Sequence, residues 1–318
     1  MAIALFRREE EDRRFLPVET LNMLYNLLTT ILIIIFYNRL RQPDEMLMSH
    51  FIIVVATFAL IYIYTKYPSK GMRLVRMVTQ MSLLTYWYPE TFEFNRMFPN
   101  MDHIFAQAEY TLLGCQPALL FDQIFSNDIW RELFSFGYWA YYPMISVICF
   151  WYFFKEPQNV RRCTFIIQCS FFIYYLLFIF LPVAGPQFYF PVIGADVAVA
   201  GPYPAIKNYF DLDPNILGHR ESAEGFFSAL VNIAQASGER PTAAFPSSHI
   251  GISTILIILA FKSNRTLGWA LTPIYILLCG ATVYIKAHYL IDGIAGIISG
   301  ILLYLLTAAL FDRATKNI

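Results

Sequence analysis

The chain keeps returning to apolar runs about as long as a bilayer is thick, and that rhythm limits its fold more than any other feature. A helix needs about 20 largely apolar residues to cross the hydrocarbon core. Runs of this kind cover roughly 19–37, 49–66, 72–88, 132–154, 162–183, 247–262, 266–286 and 289–311. Without water, every backbone polar group in such a run must be satisfied within its own segment, so the runs predict helices. The composition agrees: 57% of residues are hydrophobic and 14% charged, against about 25% charged in a soluble domain. The expected fold is all-α, a polytopic membrane helix bundle of about 8 spans. The run at 72–88 is the weakest of them, and the one at 49–66 is short.

Between the third and fourth runs, 89–131 contains "MDHIFAQAEYTLLGCQPALLFDQIF". Its apolar residues recur at helical spacing but are interrupted by Asp102, Glu109, Gly114 and Pro117, a pattern that predicts helices lying in the membrane interface. No repeat, low-complexity tract or soluble appendage is visible. The chain therefore reads as a single integral membrane domain, 1–318. It divides into N-terminal spans at 19–88, interfacial helices at 89–131, and further spans at 132–311 with a loop at 184–246.

Lysine and arginine set the expected orientation. Alternate connections divide the 23 basic residues 15 to 8. The richer side holds Arg7, Arg8, Arg13, Arg14 and the short connections near Lys66, Lys155 and Lys262. Both termini are expected in the cytoplasm, with the 184–246 loop on the periplasmic or lumenal side. The N-terminal stretch mixes both charge signs and reads as a lead-in to an uncleaved first span. Net charge is zero and no basic tract occurs, so nucleic acid is not an expected partner. Cys115, Cys149, Cys163, Cys169 and Cys279 show no CxxC spacing and read as packing thiols.

Two polar segments meet at the outer end of this scheme. "FPSSHIGIS" (245–253) opens the sixth run, and "YIKAHYLIDG" (284–293) joins the seventh to the eighth. His288 and Asp292 are four residues apart and share a helix face. A carboxylate beside one ring nitrogen fixes the tautomer and leaves the other nitrogen basic, which suits a nucleophile. Alone, the pair also reads as an acidic residue placed at the positive end of a helix dipole. Ser247 and Ser248 likewise read as helix caps, yet a helix N-terminus with serine hydroxyls is also a ready anion site. His249 at its lip suits a general acid.

"PSSH", followed 39 residues later by the histidine of "HYLID", resembles the type 2 phosphatidic acid phosphatase superfamily of membrane lipid phosphatases and phosphotransferases. Its signatures are KxxxxxxRP, PSGH and SRxxxxxHxxxD. The resemblance implies that His288 attacks phosphorus, Asp292 orients it, and His249 protonates the leaving group and then activates the acceptor. Ser247, Ser248 and backbone amides would hold phosphoryl oxygens, and neither metal nor other cofactor is expected.

The departures from the signatures carry information. Ser248 replaces glycine, Thr282 stands at the arginine position, and "LPVAGPQFYF" replaces the first signature, with Gln187 where a base belongs. Lys286, Arg240, Lys207 and Arg220 are candidate substitutes for the missing bases. Fewer fixed cations suit a phosphodiester, which carries less charge than a monoester. "HYLID" is similar to the corresponding segment of sphingomyelin synthases and aureobasidin-sensitive inositol phosphorylceramide synthases. The Asp102–Pro117 segment is similar to an interfacial segment of the latter, which makes Asp102 and Glu109 candidate substrate contacts. That likeness implies transfer of a phospho-headgroup, phosphoinositol foremost, from a glycerophospholipid to ceramide, with release of diacylglycerol.

A lipid phosphate phosphatase acting on phosphatidate, a prenyl diphosphate or lipid A phosphate uses the same residues and stays open at this point, as does a non-enzymatic lipid carrier. Glu239 and the other loop carboxylates (Asp196, Asp211, Asp213, Glu221, Glu224) read as a solvated face, with binding of a polyol headgroup as the alternative.

Overall fold

A computed structural model describes residues 15–212 and 225–316; Arg220, Asp213, Glu221, Glu224 and the four N-terminal arginines lie outside the described residues. Among the described residues the secondary structure is helical, with no strand. In chain order the helices are α1 (Pro17–Phe36), α2 (Pro43–Lys66), α3 (Lys70–Ser82), α4 (Leu84–Asn95), α5 (Asp102–Leu113), α6 (Pro117–Ile124), α7 (Asp128–Trp139) and α8 (Tyr141–Lys155). They continue with α9 (Val160–Phe180), α10 (Pro186–Ile193), α11 (Ala195–Ala200), α12 (Tyr209–Leu212), α13 (Phe226–Gly238), α14 (Ser248–Ser263), α15 (Arg265–Tyr284) and α16 (Leu290–Lys316).

All eight apolar runs are helical, and this is an integral membrane helix bundle. Five helices (α1, α2, α9, α15 and α16) are long and apolar enough to cross a bilayer alone, and α7 with α8, bent by 41° at their junction, reach that length and apolarity only together, as a broken span or a re-entrant loop. The 16-residue α14 is shorter. The run at 72–88 is not a continuous span: the chain breaks at Leu83 between α3 and α4. This stretch is also the more polar one. The α3 segment carries Lys70, Arg73 and Arg76, and the buried Arg76 must find a partner inside the protein. It does so on α1, where the Glu19 carboxylate takes its Nε and Nη2 at 2.7 and 2.6 Å.

The bundle is built around α9. In its apolar window 67% of residues are buried, against 22% for α2, so α9 faces protein while α2 presents Phe51, Ile52, Val55 and Phe58 to lipid. Gly114, at φ 70°, ends α5, and Pro117 begins α6, so the two interruptions seen in the sequence are a helix stop and a helix start.

The pairing of α14 with α16 positions the functional end. A Cβ on Gly300 would lie 2.5 Å from the Gly251 carbonyl, and one on Gly296 would lie 2.7 Å from that of Ser247. These small residues let the two backbones approach as only Gly-rich faces in membranes allow. Their N-termini are tied directly, the Ser247 amide donating to the Asp292 carbonyl at 3.1 Å.

Candidate active site

The two histidines meet where α14 and α16 begin. Their rings lie 5.7 Å apart between centroids. A pocket of about 310 Å³, its open mouth included, is lined by both histidines, Ser248, Gln187, Glu239, Arg240, Tyr88 and Tyr138 among others.

His288 sits in the short connection between α15 and α16 and is buried. Its backbone amide donates to the Thr282 carbonyl at 3.1 Å. Its Nδ1 lies 2.8 Å from the Ala244 carbonyl. A carbonyl oxygen only accepts, so Nδ1 carries the proton and Nε2 keeps its lone pair. Burial lowers the His288 pKa to about 4, and the imidazole is neutral at pH 7.

Asp292 departs from the expected contact. Its Oδ2 is 3.8 Å from His288 Nδ1, beyond hydrogen-bonding distance, and instead accepts from the Tyr289 amide at 2.9 Å. The reason is the backbone: the Ala244 carbonyl has taken the site the carboxylate was expected to fill. Asp292 Oδ1 has no hydrogen-bond partner, so a carboxylate with spare capacity sits behind the imidazole.

His249, on the first turn of α14, is sandwiched by aromatic rings. It stacks on Tyr138 at 4.8 Å and lies 4.5 Å from Tyr141. The two serines divide the roles that the sequence left joined. Ser247 is fully buried, and its Oγ caps α14 by accepting from the Ile250 amide. Ser248 lines the pocket.

The substitute bases separate as well. Arg240 lines the pocket and donates through Nη1 to the Glu239 carbonyl at 3.0 Å. Lys286 turns away: its Nζ pairs with Asp122 of α6 at 2.6 Å. Lys207 lies with Arg96 in a neighbouring cavity, not in the pocket with the histidines. Gln187 is in the pocket, and Gly185 puts it there. With φ at 94°, and a would-be Cβ 2.6 Å from the Ala287 carbonyl, only glycine allows the turn before α10 to lie against residue 287.

Asp102 and Glu109, expected as substrate contacts, hold the frame instead. Asp102 accepts from the Ala184 and Gly185 amides at 2.6 and 2.8 Å and from the Tyr289 hydroxyl at 3.0 Å. Glu109 accepts from the Ile291 amide at 3.0 Å, capping α16, and burial lifts its pKa to about 7. Both residues fix the loops that bring Gln187 and His288 together.

Glu239 is the residue that sequence reasoning missed. Instead of facing solvent, its carboxylate lies in the pocket wall, accepting from the Tyr138 hydroxyl at 2.6 Å and from Gln187 Nε2 at 2.9 Å. Burial raises its pKa. Its position beside Arg240-Pro241, inside an otherwise apolar approach to α14, was the one available signal. Tyr138 had none, since nothing local connects it to a histidine on another helix.

The arrangement offers a neutral histidine with a free nitrogen, a second histidine facing it, a helix N-terminus with a serine hydroxyl, one arginine and one carboxylate. These groups suit phosphoryl transfer through a histidine nucleophile. A family model described as PAP2 superfamily matches residues 105–306. No curated protein and no solved structure matches the chain.

Proposed function

We propose, from the premise that this chain belongs to the PAP2 superfamily of lipid phosphatases and phosphotransferases, that it transfers a phospho-headgroup between lipids. In this reading His288 Nε2 attacks phosphorus while the P–O bond to diacylglycerol breaks and His249, entering as the imidazolium beside the anionic substrate, gives its proton to the departing oxygen. The phosphorylated imidazole keeps its Nδ1 proton on the Ala244 carbonyl, and its positive charge faces Asp292 3.8 Å away. His249 then takes the proton of the acceptor hydroxyl, the acceptor oxygen attacks phosphorus, and the P–N bond breaks to return neutral His288. Ser248, Arg240 and the α14 N-terminus stabilise the phosphoryl oxygens.

The observation that carries the choice of transferase is Glu239. A phosphomonoester approaches two negative charges at pH 7, and here it would meet a carboxylate with a single arginine to offset it. A diester brings one charge and fits that balance better. The donor we assign is a glycerophospholipid, phosphatidylinositol first, and the acceptor is ceramide. The pocket opens toward the outer or lumenal face in the orientation set by the basic residues. The test is incubation of purified protein with phosphatidylinositol plus ceramide, and separately with phosphatidate. Diacylglycerol and inositol phosphorylceramide are expected from the first and little free phosphate from the second. Free phosphate from phosphatidate without a ceramide product makes the chain a phosphatase.

A further inference from the structure

One wall of the pocket comes from outside the segment that the PAP2 superfamily model matches. Of the residues lining it, Tyr88 alone lies before residue 105. Tyr88 sits on α4 and lines the pocket together with Tyr138 and His249, and the Tyr138 and Tyr141 rings flank His249. Tyr88 therefore shares a pocket wall with His249, the group that must take the acceptor's proton.

The helix that presents it has little stability of its own. It is 12 residues long with Pro89 inside, which removes a backbone hydrogen bond. Lateral contacts replace what is lost. Two residues beyond Tyr88, the buried Glu90 carboxylate meets His50 Nε2 of α2 at 2.7 Å. On the other ring edge, His50 Nδ1 lies 2.7 Å from Thr30 Oγ1 of α1. Trp87, fully buried, donates from Nε1 to Asn22 at 3.0 Å and packs its ring 5.1 Å from His50. Polar pairs buried at this depth are costly and are kept where a geometry must be held. The geometry held here is that of α4.

We propose that Tyr88 determines the acceptor specificity of the pocket and that the His50–Glu90 pair is its positioning device. The acceptor class is a lipid bearing a primary hydroxyl, which the Tyr88 phenol and ring would guide to His249. Hydrolases accept water and need no such wall, so this inference rests on the transferase reading above.

The experiment measures partition. Full-length protein in phosphatidylinositol vesicles containing ceramide forms both inositol phosphorylceramide and, with water as acceptor, inositol phosphate; their ratio is read from one incubation. Tyr88→Ala is expected to lower the ratio of transfer to hydrolysis about tenfold, and Tyr88→Phe to lower it less. Glu90→Ala is expected to lower the ratio in the same direction, and Glu90→Gln, which keeps an acceptor for His50, to stay near wild type. A purely structural role would reduce both products in proportion. An unchanged ratio in Tyr88→Ala and Glu90→Ala, whatever the total turnover, overturns the proposal. Failure of the underlying reading is seen separately, in a wild-type protein that releases phosphate from phosphatidate and makes no ceramide product; that result removes the acceptor and this inference with it.

Discussion

The N-terminal helices and the pocket both bury ionisable groups, and they treat them in opposite ways. In α1 to α4 the charges are matched. Arg76 meets Glu19, and His50 meets Glu90, at 2.6 to 2.7 Å. Asn22, Gln80 and Thr57 continue the seam through 2.9 and 3.0 Å side-chain bonds. At the pocket, capacity is left over. Thr242 Oγ1, which lines the pocket, and Asp292 Oδ1, behind His288, lack hydrogen-bond partners, and His288 bonds through Nδ1, which leaves Nε2 its lone pair. Saturated polar groups hold helices in register, and unsaturated ones can receive a substrate.

The largest effects should split along that line. His288→Ala is expected to cut turnover by more than about 10³-fold with little loss of thermal stability, as followed by lipid product assays and thermal unfolding in detergent. Arg76→Ala should do the reverse. It leaves Glu19 buried and unpaired, which costs about 3–5 kcal/mol and appears as a lower Tm and poor yield. Replacing both partners together, with Glu19→Leu and Arg76→Met, should recover much of that loss. Full activity in His288→Ala, or an unchanged Tm in Arg76→Ala, would break the contrast.

The neighbouring serines give a finer version. Ser248→Ala is expected to lower kcat about 10²-fold by removing a phosphoryl donor, with Tm unchanged. Ser247→Ala removes the α14 cap and should cost about 1 kcal/mol of stability, with a smaller kinetic effect. Reversed outcomes would mean that the hydroxyl in the pocket is not the one assigned.

A smaller effect concerns pH. Burial holds the His288 pKa down at about 4 from an ordinary 6.5. Between those values the unfolded chain binds a proton that the native protein does not, so stability rises with pH through this window and is lost as pH falls. The proposed nucleophile also stays neutral down to about pH 4, and the acid limb of kcat/KM contributed by this group should fall there. A His288→Gln variant should show a shallower dependence of Tm on pH between 4 and 6.5; an identical slope would remove the burial argument.

Much of the fold was legible because lipid leaves few options: an apolar run of membrane length must be a helix. The partner of the buried Arg76 was less so, because Glu19 stands 57 positions away in the sequence. At the site, "PSSH" and "HYLID" were legible as local patterns, since capping and helix spacing are local rules. The carbonyl of Ala244 was not, because backbone acceptors carry no residue signature. Lys286 illustrates the same limit. Its closeness in sequence to His288 suggested a phosphate ligand, but Asp122, 164 residues earlier, decides where its charge goes. Glu239 read as a solvated loop carboxylate until Tyr138 and Gln187 were seen to bury it.

The central claim is a headgroup carried on His288, and the most direct measurement is the mass of that adduct. Protein incubated with phosphatidylinositol in the absence of ceramide would be quenched in alkali, where phosphohistidine survives, then digested and analysed by mass spectrometry. A phosphoinositol adduct on the peptide containing His288, discharged on adding ceramide, is the expected result. An adduct of bare phosphate, an adduct on His249, or no adduct while product still accumulates would contradict it.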